Sequence, residues 1–283
     1  MTTSIILIVE DDSDQAELVS RFVRLRKFEP VVANSGELGL KLARELRPAV
    51  ILLDIMLPDL NGFELCRLLR SDRETMLTPI VMLTALSDTE NRAQGFRVGA
   101  NAYIEKPYAP EVLFKAIAQA RDWRSRLVQE SVKGEIHVVL NSEIRFLQEV
   151  NDFLMSVSHA FPFSPEQVLQ LRQALMEMGH NAIEWGNRHQ SDRLVDIIYR
   201  IHADRVEIVI RDQGPGFDRN ELPHAAQAED PIAHMEVREK LGLREGGFGM
   251  LITSGMVDEM RYNDLGNEVT LIKRFPAASD GTQ

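Results

Sequence analysis

A single cysteine, Cys66, stands in 283 residues. No internal disulfide can form and no cysteine-based metal centre can be built, which suits a reducing cytoplasm. Basic residues are the minority: 32 Lys and Arg stand against 43 Asp and Glu, giving a net charge of −11. A chain whose main task is to neutralise nucleic-acid phosphates needs clustered cations, so direct DNA binding is not expected. No apolar run approaches the roughly 18 residues of a membrane span. The opening MTTSIILIVEDD lacks the basic and long apolar regions of a secretory signal. A cytoplasmic chain with no membrane partner is the expectation. What is present, 44% hydrophobic and 27% charged residues, is the composition of a globular protein, and the length suits about two domains.

The two halves follow different patterns. In the first, short apolar runs at 4–10, 29–34, 49–54, 79–84 and 101–106 alternate with amphipathic segments such as DQAELVSRFVRLRK and GELGLKLARELR. Continuous apolar strands alternating with helices predict a five-stranded parallel sheet covered on both faces. Such sheets carry their chemistry at the carboxyl ends of the strands. A last helix starts near Ala109, with Leu113, Ala116, Ala120, Trp123 and Leu127 at three-four spacing. That stripe reads as core-facing; a short dimerising helix, and with it a homodimer, is the other reading. The polar stretch 129–135, QESVKGE, is the linker candidate.

The second half begins with a strand at 135–140. Two long helical patterns follow at 144–160 and 165–186, then two strands within 193–212 that turn at HADR. A helix at about 247–259 and a strand at 267–275 complete it. Strands and helices are segregated, which predicts an α+β layer.

In the parallel sheet, Glu10, Asp11 and Asp12 end the first strand, Asp54 the third, Thr84 the fourth and Lys106 the fifth. All share one edge. Carboxylates brought together there repel unless a cation intervenes, and hard oxygen ligands suit Mg²⁺. An aspartate held in such a site can act as a nucleophile on a phosphoryl group, with Lys106 and Thr84 of the right types to receive its oxygens. Helix capping would account for Asp12 or Ser13 alone. It does not account for Asp54, which is followed by IMLPDLNG rather than a helix.

The pieces VEDD, LLDIMLPDLNGFEL, MLTA and YIEKP resemble the response-regulator receiver family across about 1–124. The resemblance implies a flavodoxin-like fold, with Asp54 as phosphoacceptor and Asp11 and Asp12 holding Mg²⁺ beside it. It adds the Met56 carbonyl as a further metal contact. Thr84 and Lys106 would sense the phosphoryl group, Tyr103 would be the switch aromatic, and Lys106–Pro107 a cis peptide. The phosphodonor would be a histidine kinase or a small phosphodonor.

In the second half, IRDQGPGFD carries glycines two apart after an apolar strand. A phosphate loop of the dinucleotide or P-loop kind needs a helix next, and the following DRNELPHAAQAEDP has no helical start. The carboxylate of Asp212 suits instead an exocyclic amine such as adenine N6, with Gly214 and Gly216 letting a flat ring approach the backbone. Upstream, QALMEMGHNAIEWGN sets Glu177, Asn181 and Glu184 on one helical face, a pattern fit for Mg²⁺–triphosphate and a general base. Downstream, LREGGFGM opens a helix with glycines, so backbone N–H groups at Gly247 and Gly249 are the expected phosphate site. The stretch 218–245 then reads as a lid.

These elements, in this order, resemble the GHKL (Bergerat) ATPase superfamily across about 135–275, and within it the anti-sigma-factor serine kinases. The resemblance makes Asn181 the Mg²⁺ ligand, Glu177 the general base for a protein hydroxyl and Asp212 the adenine contact of ATP. His159, in SVSHAFPF, has no acid beside it and reads as structural. The expected organisation is a receiver at 1–124, a helical extension and linker at 125–134, an α+β Bergerat-fold ATPase at 135–276 and a tail at 277–283. The expected function is a response regulator whose output is an ATP-dependent serine/threonine protein kinase. It would act on a STAS-like anti-sigma-antagonist protein, with a sigma factor as second partner. The rival reading keeps the fold and drops the catalysis: a phosphorylation-gated module that sequesters a protein, with or without ATP.

Overall fold

The computed structural model describes residues 4–85, 94, 97–217 and 249–276. The chain divides into two compact units, Met1–Val138 and Val139–Gln283.

In the first unit, strands β1 (Ile5–Val9), β2 (Glu29–Ala33), β3 (Val50–Asp54), β4 (Ile80–Thr84) and β5 (Ala102–Glu105) form one sheet in the order β2-β1-β3-β4-β5. Every pairing is parallel. Helices α1 (Ser13–Leu25), α2 (Gly36–Leu46), α3 (Gly62–Ser71) and α4 (Pro110–Gln129) cover it. Successive side chains of a strand point to opposite faces, and here both faces are buried. Leu7, Val9, Ile51, Leu53, Ile80 and Met82 pack with Ala43 of α2 and Phe63, Leu65 and Leu69 of α3. Their neighbours Ile6, Ile8, Val50, Leu52, Val81 and Leu83 pack with Val19 and Val23 of α1 and Leu113, Ile117 and Ala120 of α4. The Leu113–Leu127 stripe is therefore core-facing. This is the five-stranded flavodoxin-like sheet expected from the alternation of strands and helices.

A buried arginine is built into this unit. Arg70 is 1% exposed, and its guanidinium donates to Gly99 O at 2.8 Å, Thr78 O at 2.8 Å and Asn101 Oδ1 at 2.9 Å. Asn101 Oδ1 also accepts the Ile80 N–H, and the Asn101 N–H donates to Ile80 O. The planar fork of an arginine spreads its donors in fixed directions to several carbonyls, where a lysine offers a single point.

The second sheet runs β6-β7-β8-β10-β9, from β6 (Gly134–Asn141), β7 (Leu194–Ile201), β8 (Arg205–Arg211), β9 (Glu259–Tyr262) and β10 (Glu268–Arg274). The pairs β7–β8, β8–β10 and β10–β9 are antiparallel. Strand β7 alternates half-buried and buried residues, as a sheet with one packed face requires. Helices α5 (Ile144–Ser158), α6 (Pro165–Asn181) and α7 (Gly249–Met256) belong to this unit, with α6 packed against both α5 and α7. Helix α6 starts at a capping box: Ser164 Oγ accepts the Gln167 N–H and Gln167 Oε1 accepts the Ser164 N–H. It ends in a π-helical turn, Ala182–Gly186. Strand β9 was not expected; the sequence reading ran the last helix to 259, but α7 ends at Met256. The segment 129–135, read as linker, is shorter in the structure, because α4 runs to Gln129 and β6 starts at Gly134.

Candidate functional site

At the carboxyl edge of the parallel sheet, Glu10 follows β1, Asp54 ends β3, Thr84 ends β4 and Lys106 follows β5. Lys106 Nζ lies 2.6 Å from Glu10 Oε2 and 2.8 Å from Asp54 Oδ2. Asp54 Oδ1 accepts the N–H groups of Ile55 at 2.6 Å and Met56 at 3.3 Å. Thr84 is fully buried, and its carbonyl accepts the Lys106 N–H at 2.6 Å. The Lys106–Pro107 peptide is cis, and Tyr103 packs beside the core of that face.

Burial pushes the Glu10 carboxyl above its usual range and the Asp54 charge adds to this, while the Lys106 ammonium works against both. For Lys106, burial alone would lower the ammonium; its bonds to Asp54 and Glu10 outweigh burial and hold it above the ordinary lysine value.

Ligand oxygens of Glu10, Asp11 and Asp54 all lie within 4.8 Å of one another. Glu10 Oε1 is buried and has no hydrogen-bond partner among the described residues. Three hard oxygen donors, one of them without a partner, fit a divalent cation such as Mg²⁺. The third acid is Glu10, not the Asp12 named from the sequence. Asp12 lies outside this trio and caps α1, its Oδ1 accepting the Asp14 and Gln15 N–H groups at 2.9 Å. Those two bonds hold its carboxyl below the usual range. The Met56 side chain is exposed.

The second constellation surrounds Asp212, just past β8. Its Oδ1 accepts the Gly214 N–H at 2.7 Å, and its backbone N–H donates to Asn267 O at 3.0 Å. Burial raises the Asp212 carboxyl, against the lowering effect of the Gly214 N–H and of the Arg193 charge. The carboxylate sits directly against Gly186, the last residue of the π-helical turn, so that any Cβ there would overlap it. A Cβ on Gly214 would meet Gly186 O. Gly216 has φ +74° and lies on Leu265 O. Both expected ring-approach glycines thus lie against protein backbone.

Glu177 and Asn181 lie in the last turns of α6, immediately before the π-helical turn. Insertions of this type recur at functional sites. Glu177 Oε1 abuts Gly249, the first residue of α7, so these two candidate residues lie against each other. Gly247 and the expected lid at 218–245 lie outside the described residues.

Residues 6–118 match the family model of the response regulator receiver domain, and residues 140–273 that of the histidine kinase-like ATPase domain. The DNA-binding response regulator MtrA of Mycolicibacterium paratuberculosis is 33% identical over 229 residues, covering 75% of this chain and 96% of its own. The chain belongs to the response regulators. The transcriptional regulatory protein SrrA of Staphylococcus aureus is 29% identical over 233 residues, covering 75% of this chain and 93% of its own. A crystal structure of a putative response regulator from Chloroflexus aurantiacus is 32% identical, covers 44% of this chain and all of its own, and has a TM-score of 0.41. DNA binding stands in the name of the first relative; the second half of this response regulator matches an ATPase domain instead. Among the described residues, no helix is long and apolar enough to cross a membrane.

Two groups that sequence reasoning left unassigned belong to these sites. Glu10 was seen at the strand tip, but three consecutive acids carry no spacing that selects the inward pair. Asn187 closed the quoted helix motif without a role. It is fully buried and bonds to three separate segments.

Proposed function

We propose that this response regulator accepts a phosphoryl group on Asp54 and thereby controls an ATP-dependent serine/threonine protein kinase in its second domain. A histidine kinase is the donor. A carboxylate oxygen of Asp54 forms the bond to phosphorus as the donor's P–N bond breaks and its electron pair returns to the imidazole. Lys106 and Thr84 then receive the phosphoryl oxygens. Glu10, Asp11 and Asp54 would hold Mg²⁺, with the Met56 carbonyl; bound there, it supplies positive charge to the same oxygens. Asp12 acts as the cap of α1.

In the second domain, Asp212 accepts the adenine amine of ATP through Oδ2. Asn181 would hold the Mg²⁺ of the triphosphate, and Gly247 and Gly249 would supply phosphate contacts. Glu177 takes the proton of the substrate hydroxyl. The substrate class is a STAS-like antagonist protein, with a sigma factor as second partner. The observation that carries this reading is the Asp212 carboxylate seated on Gly186, in the turn that continues the helix bearing Glu177 and Asn181. The residues proposed for adenine and for the triphosphate are thereby brought together at this turn.

Incubation of the full chain with Mg·ATP and candidate STAS-like proteins tests it. Transfer to a Ser or Thr, abolished in Glu177→Ala, is expected. ATP binding without transfer to any candidate would leave the sequestering module as the better description.

A further inference from the structure

We infer that Asn187 is a positioning residue for purine recognition, fixing Asp212 so that the cleft selects a 6-amino over a 6-oxo base; this rests on the reading of Asp212 as the base contact. Asn187 is the cap of the π-helical turn, where its backbone N–H donates to Ala182 O at 2.8 Å. Its side-chain amide does three further things. Nδ2 donates to Ser142 Oγ at 2.8 Å, just past β6, and to Leu194 O at 2.9 Å, the first residue of β7. Oδ1 accepts the Gln213 N–H at 2.8 Å.

Gln213 then closes a circuit, because its own side-chain Oε1 accepts the Leu194 N–H at 3.0 Å. Arg193 donates to Gln213 O at 3.3 Å. The residue after Asp212 is therefore held on both its backbone groups and its side chain. Asp212 itself is held from the other side, by Asn267.

Only an amide can fill position 187 as it stands, since two donors and one acceptor are needed on one short side chain. An aspartate of the same shape offers Leu194 O no donor and sets a buried charge beside it. The consequence falls on Asp212. Its Oδ1 is taken by the Gly214 N–H, its carboxylate lies on Gly186, and the backbone that follows it is fixed through Gln213, so Oδ2 is presented in one orientation. An exocyclic amine donates to that oxygen; a carbonyl in the same place is repelled. Such a site rejects by leaving a buried acceptor unpaired, so selectivity depends on the carboxylate being unable to turn away.

The test is calorimetric titration of the full chain with Mg·ATP and Mg·GTP, for the wild type, Asp212→Asn, Asn187→Asp and Gln213→Leu. Asn187→Asp is expected to lower ATP affinity about tenfold and to leave GTP affinity within about twofold, so that the preference collapses. Gln213→Leu, at an exposed position that tolerates change, is expected to cost about threefold in the same ratio, and it decides the matter if Asn187→Asp does not fold. An unchanged ATP-to-GTP ratio in the folded variants, while Asp212→Asn loses it, overturns the positioning role. Equal losses for both nucleotides overturn it too, since they mark general disruption. If Asp212→Asn leaves ATP affinity and preference as in the wild type, the base-contact reading itself fails, and this inference with it.

Discussion

The two halves each hold a carboxylate at the end of a strand, yet they balance its charge in opposite ways. Asp54 faces a cation of its own chain, since Lys106 bridges it to Glu10. Asp212 has no ion pair within contact distance among the described residues; one N–H bonds it, and Arg193 acts only through its field. A carboxylate with its counter-ion already in place suits a step in which charge arrives, because the lysine can follow the new oxygens. A half-buried carboxylate with a single N–H suits a neutral donor, because a ligand amine completes its bonding without moving any charge. On the proposed function, the contrast separates an anion-transfer site from a recognition site.

Removing the lysine breaks the contrast most severely. Lys106→Ala leaves Glu10 and Asp54 facing each other with their cation gone, at an expected cost of about 3 kcal/mol near neutral pH. Two features identify the cause in urea unfolding curves. Added Mg²⁺ restores part of the loss, and the cost shrinks as pH falls, because Glu10, already raised, takes up a proton instead. A loss that neither Mg²⁺ nor acid relieves would rule out charge repulsion as its origin.

The second change converts the recognition site into an occupied one. Gly186→Ala places a methyl group where the Asp212 carboxylate now sits, so ATP affinity is expected to drop about tenfold. Acetyl phosphate labelling of Asp54, followed by mass spectrometry, should continue in that variant. Retained ATP affinity would show that Asp212 does not contact the base.

The smallest effect sharpens the comparison by pH. The Asp212 carboxyl is raised above the ordinary 3.8 by burial, so its contribution to stability is present below that value and is lost as pH rises through the raised one. Asp212→Asn has no such group. The variant should therefore gain on the wild type as pH rises through the acid range, with a constant difference above it. Because Asp212 is only half-buried the gap is modest. Denaturant midpoints from about pH 4 to pH 8 provide the check, and parallel curves would argue that the group is not desolvated.

Much of this was readable in advance where burial on two sides leaves an unbroken apolar signature. The parallel strands fall within a residue or two of the runs at 4–10, 29–34, 49–54, 79–84 and 101–106. Strand β9 had no such signature. Glu259–Tyr262 is short, charged and at a sheet edge, and among the described residues pairs only with β10, so its conformation is imposed by partners from Val269 to Ile272, further along the chain. The acid trio was misregistered by one step for a local reason: Asp12 turns away to cap α1, which composition cannot distinguish from a ligand. The π-helical turn was invisible, since its residues continue the helical pattern into Gly186. Asn187 left one usable signal, an amide directly after a helix-ending glycine, but its three partners lie far apart along the chain.

The guanidinium of Arg70 has a mechanical consequence. It fastens Gly99 and Asn101 to Thr78, at the end of the sheet remote from the acids, and the Ile80–Asn101 pair doubles the fastening. If Asp54 is phosphorylated as proposed, any shift at the tips of β4 and β5 would leave these clamped roots in place, as a hinge leaf swings from a screwed plate. Amide exchange should find Ile80 and Asn101 equally slow with and without acetyl phosphate.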